Sequence, residues 1–114
     1  MKRVVITGLG CISPLGNNVD TMWSELLRGT CAIDYIKAID TTDMPVKVAA
    51  EVKDFRPEDF GLDRAMIRHN DRYALYALSA ASQAMSDSGL EVDKDVASSR
   101  FGCAIGSGIG GSLF

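Results

Sequence analysis

The sequence contains few of the residues that form covalent or metal-linked frameworks. Its 114 residues include three cysteines, three prolines and one histidine, and aromatic residues make up 7%. The cysteines are odd in number and widely spaced, with no CxxC pair, so neither a disulfide framework nor a zinc site is supported. This usage is typical of reduced thiols in a cytoplasmic protein, and we expect no metal and no cofactor.

An excess of positive charge and a long apolar run are also absent. Lys and Arg number 12 against 15 Asp and Glu, a formal net charge of -3. Binding to nucleic acid depends on a clustered positive face, so this balance argues against that class. The apolar runs are far shorter than the roughly 20 residues that span a bilayer, and the N-terminus does not resemble a signal peptide. We therefore expect a globular protein that neither binds nucleic acid nor crosses a membrane.

Five segments alternate between the patterns of strands and helices. The strand patterns are β-branched runs or apolar residues at every second position, and the helix patterns repeat every three to four residues. Such alternation predicts an α/β layer with a packed core. The segments are a strand over 3–7, a helix over 19–28 capped by Asn18 and ended by Gly29, a strand over 46–52, a helix over 71–88 ended by Gly89, and a buried strand over 100–105.

The remaining segments give weaker signals. Residues 30–45 have no clear period and are predicted to be an irregular surface excursion. A short helix is expected before Gly61, with Pro57 in its first turn. The second long helix has an apolar stripe that includes Leu78. Beside this stripe lies a flank of alanines that predicts close packing against a neighbouring backbone.

Two glycine clusters follow predicted strands. Residues 8–10 do not make a dinucleotide-binding fingerprint, because Ser13 stands at the third glycine position and the helix begins too late. Gly106, Gly108 and Gly111 match the dinucleotide spacing. A tight chain reversal or close backbone packing is the favoured explanation for them, and nucleotide binding stays open as an alternative.

A nucleophilic Cys and His pair would place His69 beside Cys11, Cys31 or Cys103. We interpret the three cysteines as buried small hydrophobic residues and His69 as solvated. A nucleophilic Cys and His pair is therefore not expected among these residues.

Arg64, Arg68, His69 and Arg72 form a local basic group at helical spacing. Two interpretations remain open for this group. It is either a solvated helix face or a surface that docks an acidic partner.

Several short motifs follow one another along the chain. They are Val-Val-Ile-Thr-Gly-Leu-Gly at 4–10, Ser-Pro-Leu-Gly-Asn at 13–17, Trp23 with Leu27, Asp71 at the start of the Ala-rich helix, residues 84–90, and Ile-Gly-Ser-Gly-Ile-Gly-Gly at 105–111. In this order they resemble the N-terminal portion of the 3-oxoacyl-[acyl-carrier-protein] synthases, over nearly the whole chain. Ser-Pro-Leu-Gly and the Ile within the last motif are more similar to the type II branch than to type I.

The resemblance implies a thiolase-like fold, a layered α/β/α architecture that is homodimeric in the full-length protein. It also implies fatty-acid elongation by decarboxylative Claisen condensation of acyl groups with malonyl-acyl carrier protein. In this chemistry a Cys thiolate takes the acyl chain and two His residues stabilise the developing oxyanions. In the family these three residues lie beyond the position of Phe114. We therefore expect residues 1–114 to form the N-terminal portion of the first thiolase-like half, without a complete second domain, and to be inactive alone.

The resemblance also implies two supporting roles. Ile109 matches the residue that projects into the acyl pocket. Arg64 and Arg68, with His69, match the face that receives acyl carrier protein, an acidic helical protein, although Ala65 and His69 stand where lysine is usual. Two alternatives from other classes remain, namely a non-catalytic chain-length-factor-like dimer partner and a nucleotide-binding α/β domain.

Overall fold

Residues 1–111 of the 114-residue chain are described in a computed structural model. The chain divides into two units, of which one is Cys11–Phe55 and the other joins Met1–Gly10 to the residues from Arg56 onward. No helix among residues 1–111 combines the length and the apolar character that a membrane crossing needs.

The unit Cys11–Phe55 contains helix α1, Val19–Arg28, with the predicted bounds. Asn18 begins the helix because its Oδ1 accepts the N–H of Thr21 at 2.8 Å. Gly29 ends it in the left-handed conformation, at φ 72°, which a residue without a Cβ adopts at little cost. Both predicted ends are confirmed.

The same unit contains a two-stranded antiparallel sheet. Strand β1, Ile33–Tyr35, pairs with strand β2, Val48–Ala50, and Ile33 lies opposite Ala50. The second predicted strand is therefore shorter than the 46–52 expected, and the stretch predicted to be irregular contains β1. All three residues of β1 are exposed. The strand has no buried face, and so it leaves no alternating pattern in the sequence.

The second unit is mainly helical. Helix α3, Arg72–Ser88, begins one residue after the predicted start and ends where predicted, with Asp71 at its N-cap position and Gly89 in the left-handed conformation at φ 64°. The short helix at Pro57 is also confirmed and has 3₁₀ geometry. Helix α2, Arg64–His69, was not predicted as a separate element. The bounds are Pro57–Phe60 for the first 3₁₀ helix, Arg64–His69 for α2, Arg72–Ser88 for α3, and Ser98–Arg100 for a second 3₁₀ helix.

The N-terminal segment lies directly against the backbone of α3. A Cβ added to Gly8 would meet the carbonyl oxygen of Ala84 and lie 2.6 Å from the backbone nitrogen of Ser88. A Cβ added to Gly10 would meet the carbonyl oxygen of Ala80 and lie 2.9 Å from the nitrogen of Ala84. The small-residue flank of α3 thus packs against a neighbouring backbone, as predicted.

A hydrogen bond fixes the same contact. The backbone N–H of Leu9, between the two glycines, donates to the carboxylate of Asp87 at 2.9 Å, across 78 positions of sequence. The N-terminal segment is therefore held to the last turn of α3 by polar as well as close van der Waals contact.

The apolar core of the described residues is small. Leu62 and Leu75 are the buried hydrophobic side chains, each 8% exposed, and Ser79 is fully buried. Leu78, which the predicted stripe includes, is 39% exposed. The buried face of α3 is therefore rotated from the predicted stripe toward Leu75 and Ser79.

Residues 3–7 and 100–105 were predicted to be strands, and neither segment forms one. Val4 is 95% exposed and Ile105 is 59% exposed. Backbone N–H and C=O groups become a strand only when a neighbouring segment pairs with them, and none of the described residues does so. The predicted layer of three strands is therefore not formed within residues 1–111.

The predicted burial of the cysteines is wrong for two of the three. Cys31 and Cys103 are exposed, and Cys11 is half-buried. Cys103 lies in the unpaired segment 100–105. Cys31 lies just before β1, whose residues are themselves exposed. Burial of these thiols was inferred from strands and packing that the described residues do not supply.

Candidate functional site

Arg64 and Arg68 share one exposed face of α2, and His69 lies at the side of that face. The helix begins at Asp63, whose carboxylate accepts the N–H of Met66 at 2.8 Å. Arg64 and Arg68 are four positions apart, one turn of a helix, and His69 is the next residue around the helix from Arg68. All three are exposed, and no ion pair within residues 1–111 involves them. This basic face is available to an acidic partner.

Arg72 does not belong to the basic face. Helix α2 ends at His69, Asn70 is extended at φ -121°, and Arg72 begins α3. Its Nε donates to the hydroxyl of Tyr76 at 2.6 Å, and its guanidinium lies 5.8 Å from the centre of the same ring. The four basic residues grouped by the sequence therefore divide between two helices, and Arg72 is engaged within α3.

Residues 106–111 form the second candidate element, which we name the glycine loop. The N–H of Gly110 donates to the hydroxyl oxygen of Ser107 at 2.9 Å, and Gly110 is left-handed at φ 77°. Ile109 is the single large side chain of the loop and is 84% exposed. The loop is thus a tight turn that presents one branched apolar side chain.

The end of the glycine loop lies against the first turn of α3. A Cβ added to Gly110 would lie 4.0 Å from Cε1 of Tyr73. A Cβ added to Gly111 would meet the carboxylate of Asp71 and lie 2.8 Å from the Asp71 Cβ. A carboxylate in this position would repel a pyrophosphate, so the contact argues against the nucleotide-binding alternative. The close approach of the Asp71 side chain accounts for a glycine at position 111.

The sequence-predicted site residues therefore occupy two separate elements. Arg64, Arg68 and His69 come together on α2, and Ile109 stands on the glycine loop. No cluster of three or more potential metal ligands occurs in the described part of the chain. The contact of Asp71 with the glycine loop was missed, because nothing in the spacing of residues 71 and 111 indicates that they meet.

The fold is similar to that of a solved ketosynthase/chain length factor. The structure described as "The ishigamide ketosynthase/chain length factor" has a TM-score of 0.70 and 32% sequence identity to this chain. The similarity covers 80% of this chain and 22% of that one. The predicted α/β fold of the thiolase-like type is thereby confirmed as the fold class.

Sequence comparison gives the family. Residues 1–113 match the family model "Beta-ketoacyl synthase, N-terminal domain", and the chain belongs to this family. It is 49% identical over 110 residues to a 3-oxoacyl-[acyl-carrier-protein] synthase 2 of Coxiella burnetii (strain RSA 493 / Nine Mile phase I). It is 46% identical over 110 residues to the protein of the same name from Staphylococcus aureus (strain COL). Each match covers 96% of this chain and 26% of the relative, so the chain spans about a quarter of the length of these relatives.

Proposed function

We propose that this chain is the N-terminal portion of a type II 3-oxoacyl-[acyl-carrier-protein] synthase, a cytoplasmic acyltransferase of fatty-acid biosynthesis. The observation that carries the proposal is the match of residues 1–113 to the family model, together with 46% and 49% identity to two synthases of that name. In the proposed reaction, malonyl-acyl carrier protein loses carbon dioxide, and the resulting enolate attacks the carbonyl carbon of an acyl group held as a thioester on a cysteine. A carbon–carbon bond forms, the carbon–sulfur bond breaks, and the cysteine leaves as its thiolate.

The catalytic cysteine and two histidines of this chemistry are expected outside residues 1–114, so the chain alone is inactive. Residues 1–114 would be the opening part of the first thiolase-like half of a homodimer. The test is the reading frame that follows Phe114, searched for a nucleophilic cysteine and two histidines. A continuation without the cysteine would favour the chain-length-factor-like alternative, which the structural neighbour's name also includes.

Acyl carrier protein is the proposed partner of the basic face on α2. Arg64, Arg68 and His69 are exposed and without ion pairs in the described part of the chain. An acidic helical protein would be attracted to this face despite the net charge of -3, because a local basic patch steers association over distances of about a Debye length.

Charge reversal tests the docking role. In a full-length enzyme that carries this chain, R64E/R68E should raise the apparent KM for acyl-carrier substrates several-fold, and the effect should shrink at high salt. A small thioester without the carrier should be condensed as before. The matched control is R3E/R100E, which changes the net charge equally at two exposed arginines outside α2 that, like Arg64 and Arg68, make no ion pair within residues 1–111. Equal losses with both substrates, or with both double variants, would refute the docking role.

Ile109 is proposed to line the acyl pocket. Its exposure on a loop of glycine and serine supports this role, because a chain reversal alone does not need a branched side chain. In the full-length enzyme, I109F should obstruct long acyl chains at a cost of about 1 to 3 kcal/mol, or about five- to a hundredfold in kcat/KM. I109V, which removes one methylene, is the control and should not obstruct them. A uniform fall at every chain length would show that Ile109 supports the loop only.

A further inference from the structure

Asp71 stands at the N-cap position of α3 without capping the helix. At the equivalent positions of α1 and α2, Asn18 and Asp63 each accept a backbone N–H at 2.8 Å. Asp71 makes no such hydrogen bond from its side chain. Helix capping therefore does not explain the conformation of the Asp71 side chain.

The Asp71 side chain is instead directed at the glycine loop. The three atoms nearest to a Cβ built on Gly111 are Oδ2, Cγ and Cβ of Asp71, and the Asp71 Cβ would lie 2.8 Å from the built Cβ. Two positions further along the chain, Cε1 of the Tyr73 ring would lie 4.0 Å from a Cβ built on the neighbouring Gly110. The Asp71 side chain thus lies against Gly111, and the Tyr73 ring lies near Gly110; these are the two glycines that directly follow Ile109.

We infer that Asp71 is a positioning residue for the glycine loop. With Tyr73, its side chain forms a seat for Gly110 and Gly111, and this seat fixes the direction in which Ile109 projects. Gly110 is left-handed and hydrogen-bonded to Ser107, so the turn has little freedom to absorb a shift at its end. An effect of Asp71 on which acyl chains enter the pocket rests on the proposed function. The positioning of the glycine loop by Asp71 does not depend on that function.

The inference is tested on this chain by two local measurements. The first is the chemical shift of the ¹³C-labelled Cδ1 methyl of Ile109. Its signal is assigned because it is absent from the spectrum of I109V. The second is the hydrogen-exchange rate of the Gly110 amide, whose bond to Ser107 depends on the closed turn. In D71G the methyl should shift, and the Gly110 amide should exchange on the order of tenfold faster, because the loop opens locally. Amides in the middle of α3 should be unchanged.

Three further variants make the test selective. G111A should produce the same changes as D71G, because the added Cβ pushes the loop off its seat. D71N keeps the shape of the side chain and should retain both wild-type values. D63G is the matched control, because it makes the same substitution at a neighbouring N-cap and should leave Ile109 unmoved.

Wild-type values in D71G and G111A would overturn the inference, and so would a D71N spectrum like that of D71G. If D63G changed the Ile109 methyl shift and the Gly110 exchange rate as much as D71G does, the changes would reflect general destabilisation, and this result would also overturn the inference. The acyl-chain series with I109F is a separate readout. If the loop responds to D71G while I109F leaves chain-length selectivity unchanged, the positioning role stands and the proposed pocket role fails.

Discussion

Replacing Gly10 with alanine tests the close approach of the N-terminal segment to α3. The added Cβ would meet the carbonyl oxygen of Ala80 and lie 2.9 Å from the nitrogen of Ala84. Both are backbone atoms of a 17-residue helix, so neither can rotate aside as a flexible side chain does. Overpacking of this kind costs about 1 to 3 kcal/mol. For a chain of this size that cost corresponds to a Tm lower by about 4 to 12 °C.

The assay is thermal unfolding followed by far-ultraviolet circular dichroism, with two glycine controls. G102A adds its Cβ where no heavy atom lies within 4 Å and where φ is not left-handed. It should leave Tm unchanged or raise it slightly, because alanine reduces the entropy of the unfolded chain. G29A also meets no atom but forces alanine to φ 72°, so it isolates backbone strain from steric overlap. A Tm for G10A equal to that of G102A would refute the steric argument.

Three other substitutions have defined expectations. D54G should raise the free energy of unfolding by up to about 1 kcal/mol in a denaturant titration, because Asp54 is left-handed at φ 51°; an unchanged midpoint would show that this conformation is unstrained. S79A should stabilise by about 1 kcal/mol, because the buried Ser79 hydroxyl has no hydrogen-bond partner among the described residues; a destabilised variant would contradict this. Hydrogen bonds from Thr30 and then Arg28 lower the pKa of Glu25. Because its pKa is lower in the folded than in the unfolded state, the contribution of Glu25 to stability is present at neutral pH and is lost as the pH falls through this lowered pKa, so E25Q should flatten the acid limb of a profile of Tm against pH.

Helix ends were predictable because their chemistry is local. Asn18 and Gly29 act within one turn of α1, and Gly89 acts in the same way at the end of α3. Each position is read from a residue type and its immediate neighbours, without reference to the remainder of the fold. The bounds of both long helices therefore agree with the sequence pattern.

Strands were less predictable because pairing is not local. Residues 3–7 have a strong β-branched signal and have no strand partner within residues 1–111, whereas β1 has no alternating signal and is paired with β2. A propensity for extended backbone becomes a strand only where a partner is present. The sequence of one segment does not contain that information.

The candidate site was predicted in part. The four-residue spacing of Arg64 and Arg68 correctly places them on one helix face, and Ile109 stands out in sequence as the large residue of its loop. The engagement of Arg72 by Tyr76 and the contact of Asp71 with Gly111 depend on where a helix starts and on the return of a distant loop. Neither could be found from residue spacing.

The hydrogen bond between Leu9 and Asp87 also sets an order of events during synthesis. Its two partners are 78 positions apart, and a ribosome adds about 5 to 20 residues per second, so Asp87 is made about 4 to 16 s after Leu9. Loop closure over that distance is also entropically costly and is compensated only once α3 exists. The segment that contains Leu9 is therefore made several seconds before it can dock, and Gly8 and Gly10 pack in place only after α3 has been made and has folded.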